Sequence, residues 1–149
     1  HAIQWSNHPN KCLQVEGDGL YVGMRVQVWD CMDTPRQHFA WSPETSKIHW
    51  ALYPKLCLDV SGHDFSNGSP VQLWECLQYD DEQMFAIPQG GKGKFRSKTH
   101  WNFCLDVKGH ATYNGNTLQL WECLDSDVDQ TFEAVKVTKP EGLAPDWSA

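Results

Sequence analysis

The chain has 149 residues, enough for one domain with a sizeable core. Its formal net charge of −7 argues against nucleic acid and anionic membrane surfaces as partners, because both recruit proteins through Lys and Arg. There is no apolar run of about 18 residues, so membrane insertion is not expected.

In chain order the residues spell one unit three times. Each unit opens on a short apolar–polar alternation: Ile3-Gln4-Trp5, Ile48-His49-Trp50 and Phe95-Arg96-Ser97. Such alternation reads as a half-buried strand. A turn-like patch follows, with His8, Tyr53 and His100 at one shared offset, which fits hairpin contacts. The second strand is Cys12-Leu13-Gln14-Val15, then Cys57-Leu58-Asp59-Val60, then Cys104-Leu105-Asp106-Val107.

A polar loop comes next, with Gly17, Gly62 and Gly109 at one offset and Gly23, Gly68 and Gly115 at another. Asn67-Gly68 and Asn114-Gly115 are turn signals that suit positive φ. The third strand carries Gln27 and Trp29, Gln72 and Trp74, or Gln119 and Trp121. Each unit closes on Gln and an aromatic two residues later: Gln37 and Phe39, Gln83 and Phe85, Gln130 and Phe132.

The cysteines form three pairs, Cys12 with Cys31, Cys57 with Cys76 and Cys104 with Cys123, each 19 residues apart. With none left over, the arithmetic favours three intra-repeat disulfides and a secreted, extracellular or other oxidising lumenal setting. Six buried free thiols are the alternative. Structural zinc is disfavoured, since no close pair of cysteines occurs. The start at His1 rather than Met fits a mature or trimmed protein whose signal segment, if any, has been removed.

About four strands per unit and no sustained helical period point to an all-β chain of about twelve strands. Three units are too few for a propeller, which needs at least about four blades. They must instead close on one another around a threefold axis, as a β-trefoil. The expected domain is 1–135, with repeats near 1–45, 46–92 and 93–135. Residues 136–149 match no repeat and read as a linker, a disordered terminus or a docking tail, with Trp147 as an interface anchor for a protein partner.

The tripled pattern Cys-Leu-Asp-Val, Gln-x-Trp and Gln-x-Phe resembles the ricin-type β-trefoil lectins and related carbohydrate-binding modules, from Ile3 to Val135. The resemblance implies non-catalytic binding of glycans, whether galactose-type or other pyranosides, as oligo- or polysaccharide. An aromatic ring covers the C–H face of a pyranose, and a carboxylate accepts its hydroxyl hydrogens. Carried over, the second repeat offers Asp59, Gln72, Trp74 and Glu82, and the third offers Asp106, Gln119, Trp121 and Asp129. The family usually has Asn where Glu82 and Asp129 stand. Loop contacts would come from His63, His110, Tyr113 and Asn114.

In the first repeat Gln14 replaces the Asp, and Arg36 stands at the Glu82 and Asp129 position, so this lobe is expected to bind weakly or not at all. A packing role remains the alternative for each Gln-x-Trp strand. Glu75 and Glu122 read as solvent-facing.

No cofactor or metal is expected. A second carboxylate beside Asp59 or Asp106 is compatible with a cation without demanding one. No His-x-x-x-His pair exists, and His1, which carries an amine and a ring for copper, has no identifiable second ligand. Asn67-Gly68-Ser69 is a glycosylation sequon weakened by Pro70. A glycosidase built on Asp59 and Asp106 is disfavoured, because equivalent positions on a threefold lie too far apart to act across one bond. An accessory scaffold with vestigial pockets, or a module of a larger hydrolase or toxin, are the remaining readings.

Overall fold

The computed structural model describes residues 1–126 and 128–137, the side chain of His63 excepted. All twelve expected strands form among these residues. They are β1 (Ala2–Trp5), β2 (His8–Val15), β3 (Val26–Asp30), β4 (Phe39–Ser42), β5 (Lys47–Trp50), β6 (Leu56–Val60), β7 (Val71–Glu75), β8 (Phe85–Ala86), β10 (Arg96–Ser97), β11 (Phe103–Val107), β12 (Leu118–Glu122) and β13 (Phe132–Val135). An added two-residue strand, β9 (Lys92–Gly93), pairs with β13. Single 3-10 turns precede β4, β8 and β13 at 35–37, 81–83 and 128–130.

The strands lie in three sheets, ordered β3-β2-β1-β13-β9, β4-β5-β6-β7 and β12-β11-β10-β8. Each sheet holds the first three strands of one repeat and the fourth strand of the repeat before it. The pairing of β13 with β1 brings the third repeat back to the first and closes the threefold. No repeat completes a sheet alone, which makes this a β-trefoil rather than three independent units.

Period-two patterning decides which side chains go inside. Leu58, Val60, Val71 and Leu73 point inward and are fully buried, as are Leu13, Val15, Val26 and Val28 in the first repeat. They join Ile3, Trp5, Phe39, Ile48, Trp50, Phe95 and Phe132 in a core cluster spanning all three repeats. Each such side chain contributes about 1.5–3 kcal/mol by leaving water. The alternate residues of the same hairpins face outward. There Asp59 pairs with Gln72 and Cys57 with Trp74, and Asp106 pairs with Gln119 and Cys104 with Trp121.

The three cysteine pairs are disulfides, with Cα atoms 5.0, 5.2 and 5.2 Å apart, and no free cysteine remains. Each staples the base of one hairpin and constrains the unfolded chain by about 3 kcal/mol.

The second set of glycines binds the repeats to one another. The Gly23 N–H donates to the Leu73 carbonyl at 2.7 Å, Gly68 to Leu120 at 2.8 Å and Gly115 to Val28 at 2.8 Å. Their φ values of 91°, 92° and 99° are costly for any residue with a Cβ. Reciprocal bonds run from the Leu73, Leu120 and Val28 N–H groups to the carbonyls of Met24, Ser69 and Asn116.

Candidate functional site

The outward faces of the three hairpins carry the candidate site residues. On the second hairpin, Asp59 is nearly buried and both of its oxygens are engaged. Oδ1 accepts from Gln72 Nε2 at 3.2 Å and Oδ2 from Gln83 Nε2 at 3.0 Å. Gln83 is itself fixed, donating to the Glu75 carbonyl at 2.7 Å and accepting from the Leu77 N–H at 2.8 Å. The carboxylate is thereby held at the floor of a cavity of about 380 Å³ lined by Asp59, Ser61, Gly62, Gln72, Trp74, Leu77, Asp80 and Glu82. The Trp74 indole is 40 % exposed and forms a wall.

The third repeat repeats this geometry. Gln119 Nε2 donates to Asp106 Oδ1 at 2.9 Å, and Gln130 Nε2 donates to Asp106 Oδ2 at 3.0 Å. Gln130 is clamped by the Glu122 carbonyl at 2.6 Å and the Leu124 N–H at 2.8 Å. Asp106, Lys108, Gly109, His110, Gln119, Trp121, Leu124 and Asp129 line a cavity of about 410 Å³. His110 reaches over the rim to pair through Nδ1 with Asp129 Oδ2.

All eight pocket residues expected from the sequence are therefore brought together, four to each cavity. Trp29, Trp74 and Trp121 are not core residues; that role belongs to Trp5 and Trp50. The closing glutamines, Gln83 and Gln130, do more than mark the repeat: each orients a pocket carboxylate. Their recurrence at one spacing was the available signal. Asp80 was also missed.

Asp59, Asp80 and Glu82 place carboxylate oxygens within 4.8 Å of one another, a hard-oxygen set suited to a divalent cation. A second grouping, His49 with Cys57 and Cys76, has no such capacity because both sulfurs are in the disulfide.

The loop residues divide. His110 lines the third cavity. Asn114 instead crosses to the first repeat, where Oδ1 accepts from Lys11 Nζ at 2.8 Å and from the Asp30 N–H at 2.9 Å, and Nδ2 donates to Asp30 Oδ2 at 3.0 Å. Lys11 and Asn114 together hold the Asp30 carboxyl below its ordinary pKa. Tyr113 is exposed and is not among the residues lining the third cavity. The side chain of His63 lies outside those described, as do Trp147 and the rest of residues 138–149. Asn67, the sequon residue, uses its Oδ1 to accept from the Glu122 N–H at 2.8 Å.

The first repeat keeps the clamp and loses the cavity floor. Gln37 Nε2 donates to Gln14 Oε1 at 2.8 Å and to the Asp30 carbonyl at 2.9 Å, so an amide sits where the carboxylate would be. Arg36 runs from the 3-10 turn at 35–37 into the loop after β2. Its Nε, Nη1 and Nη2 donate to the carbonyls of Val15 at 3.2 Å, Gly19 at 3.0 Å and Glu16 at 2.7 Å. Burial lowers the pKa of this guanidinium. Where the other repeats carry an acidic acceptor, the first carries a donor committed to backbone carbonyls.

Two models of known families match the sequence, the ricin-type beta-trefoil lectin domain over residues 45–140 and its domain-like relative over residues 2–74. No curated protein matches. Among solved structures, the C-half of an earthworm R-type lectin in complex with GalNAc is similar, with a TM-score of 0.72 and 15 % identity over 88 % of this chain and 93 % of that one. The designed 3-fold symmetric protein ThreeFoil is similar with a TM-score of 0.79 and 19 % identity, covering 91 % and 97 %. The hemolytic lectin CEL-III is 32 % identical with a TM-score of 0.67, and the match covers 85 % of this chain but only 28 % of that protein. The chain belongs to the ricin-type β-trefoil lectin domain family.

Proposed function

We propose that the second and third repeats each bind one pyranose unit of a glycan, and that the first repeat binds none. Asp59 and Asp106 accept hydroxyl hydrogens, with Gln72 and Gln119 beside them. Trp74 and Trp121 stack on the apolar sugar face, while Glu82 and Asp129 complete the polar rim. His110 contributes at the third site. GalNAc, present in the earthworm lectin complex, and other galactose-type pyranosides are the first ligands to test.

The observation that carries this reading is the same in both cavities. A nearly buried carboxylate has each oxygen held by an amide donor, one of them clamped by backbone, and lines a cavity walled by a half-exposed indole. A carboxylate with fixed orientation favours a hydroxyl-bearing ligand, because no ordering cost falls on the protein when it binds. The cavities lie on separate hairpins, and each holds acceptors and stacking surface, which suits binding without catalysis. The three disulfides fit a secreted or lumenal protein.

Isothermal titration with galactose, xylose and mannose derivatives tests the reading on wild type and on Trp74→Ala, Trp121→Ala and the double variant. Each single substitution removes one of two sites, and the double variant binds none. Unchanged binding in the double variant sinks the proposal. Trp is preferred to Asp for this test because the Asp carboxylates also tie Gln83 and Gln130 into the fold.

A further inference from the structure

The loop after the second strand of each repeat is held in the same way three times. The Glu16 N–H donates to the Arg25 carbonyl at 3.0 Å, Ser61 to Pro70 at 2.9 Å and Lys108 to Thr117 at 3.2 Å. One backbone position therefore presents an acid, a hydroxyl and a base in turn. In the first repeat Glu16 turns back on its own chain, with Oε1 accepting from the Arg25 N–H at 2.9 Å. In the other two repeats the residue opens a 3-10 turn, Ser61–His63 or Lys108–His110, and lines the cavity of that repeat.

The exchange of Ser61 for Lys108 changes the charge of the site. The second cavity is lined by Asp59, Asp80 and Glu82, with no Lys or Arg among its lining residues. The third has Asp106 and Asp129 at the Asp59 and Glu82 positions, while Asp127, which matches Asp80 in offset, lies outside the described residues. Asp106 and Asp129 are both engaged, the first by Gln119 and Gln130 and the second by His110. Lys108, exposed to solvent and lining the same cavity, adds a full positive charge. Its turn is pinned by the buried Asn116, whose Nδ2 donates to the carbonyls of Lys108 and Ala111, both at 2.8 Å. The root of the lysine is thus fixed before any ligand arrives. An ammonium group matches the oxygens of a carboxylate or sulfate with charge-assisted hydrogen bonds, whereas three neighbouring carboxylates repel them.

We infer that the third repeat takes a pyranose carrying an anionic substituent, a carboxylate or a sulfate, with Lys108 as its counter-ion. The second repeat, with Ser61 at that position and three carboxylates around it, takes an uncharged pyranose. The inference rests on both repeats being sugar sites. It gives two cavities on one scaffold different specificities through a single side chain, attraction selecting at one and repulsion at the other.

The test uses the full chain carrying Trp74→Ala or Trp121→Ala, so that one site reads at a time. Methyl glycosides of galactose and mannose are titrated beside their uronic acids and their 6-sulfates. At the third site the anionic form binds about fivefold more tightly than the neutral one, the worth of one exposed ion pair. At the second site it binds more weakly than the neutral one. The third-site preference shrinks as salt is raised. Lys108→Ser, which copies the second repeat, brings the ratio to one or below, and Lys108→Arg keeps it. Ser61→Lys in the Trp121→Ala chain raises the second-site ratio. A preference for the sulfate alone or the carboxylate alone upholds the inference and names the substituent. Equal ratios at the two sites, or a third-site ratio that Lys108→Ser leaves unmoved, overturn it, while binding of the neutral glycosides keeps the sugar-site reading standing. If no sugar of either charge binds the wild type, both readings fall.

Discussion

The first repeat and the second share a backbone, a disulfide, a Gln-x-Trp strand and a clamping Gln, yet two carboxylates that line the cavity of the second have no counterpart in the first. Two side chains make the difference. In the second repeat Asp59 and Glu82 put two carboxylates into the lining of the cavity. In the first, Gln14 takes the floor and Arg36 threads its guanidinium into the carbonyls of Val15, Glu16 and Gly19. The scaffold tolerates both because Gln37 and Gln83 bind either an amide oxygen or a carboxylate with the same Nε2 donor. Site chemistry is thus separable from fold chemistry along the same hairpin.

The largest effect should follow from removing the stacking walls of both open cavities. Trp74→Ala with Trp121→Ala should abolish retention on an immobilised glycan, with a fall of a hundredfold or more, because two-site avidity is lost along with each site's affinity. Retention in the single variants should fall much further than their single-site affinities imply. Equal retention in one single variant and the wild type would place all binding in the other repeat.

Asp59→Ala and Asp106→Ala should destabilise the fold as well as the site. Each deletes a buried acceptor of two hydrogen bonds and strands its amide donors, at a cost of about 1–3 kcal/mol. Gln14→Ala removes one neutral bond and should cost about 1 kcal/mol. Urea unfolding orders the three variants; a Gln14→Ala cost equal to that of Asp59→Ala would show that the carboxylates carry no special structural load.

A smaller change should open the closed repeat. Gln14→Asp with Arg36→Glu restores the acceptor pair of the second repeat, and the Gln37 donor is already in place. Titration should then show three sugar sites per chain instead of two. Stability should fall by about 1 kcal/mol, since the loop carbonyls exchange Arg36 for water. A stoichiometry that stays at two would locate the block elsewhere than in these two side chains.

What the sequence revealed follows from repetition. The cysteine pairs, the glycines and the Gln-x-Trp strands recur at fixed offsets, so their fold role is visible as period. Asp59 and Asp106 stood out because they break an otherwise apolar strand in two copies of three. The clamps Gln83 and Gln130 were hidden by the same repetition, since a residue present in every copy reads as fold whatever else it does. Asn114 was hidden by distance: Asn-Gly is a local turn signal, whereas its partner Asp30 lies 84 residues away. The departure at Arg36 was plain as a lost acceptor, but its reach into three carbonyls depends on how the loop after β2 folds back, which no spacing encodes.

The least effect expected is also the most specific to the first repeat. Its β4 is preceded by His38, where the other copies carry Met84 and Thr131. Burial lowers the His38 pKa from its ordinary 6.5, the nearby amino terminus lowers it further, and Asp33 opposes them. The folded chain therefore binds fewer protons than the unfolded chain just below pH 6.5, and stability must fall with pH in that window. Asp30 acts in a separate window, because its depressed pKa removes stability only as pH falls below its ordinary 3.8 toward the folded value. His38→Met, which copies the second repeat, should flatten the decline in melting temperature between about pH 6.5 and 5 and leave the acid limb untouched. An unaltered slope would assign the decline to titrating groups other than His38.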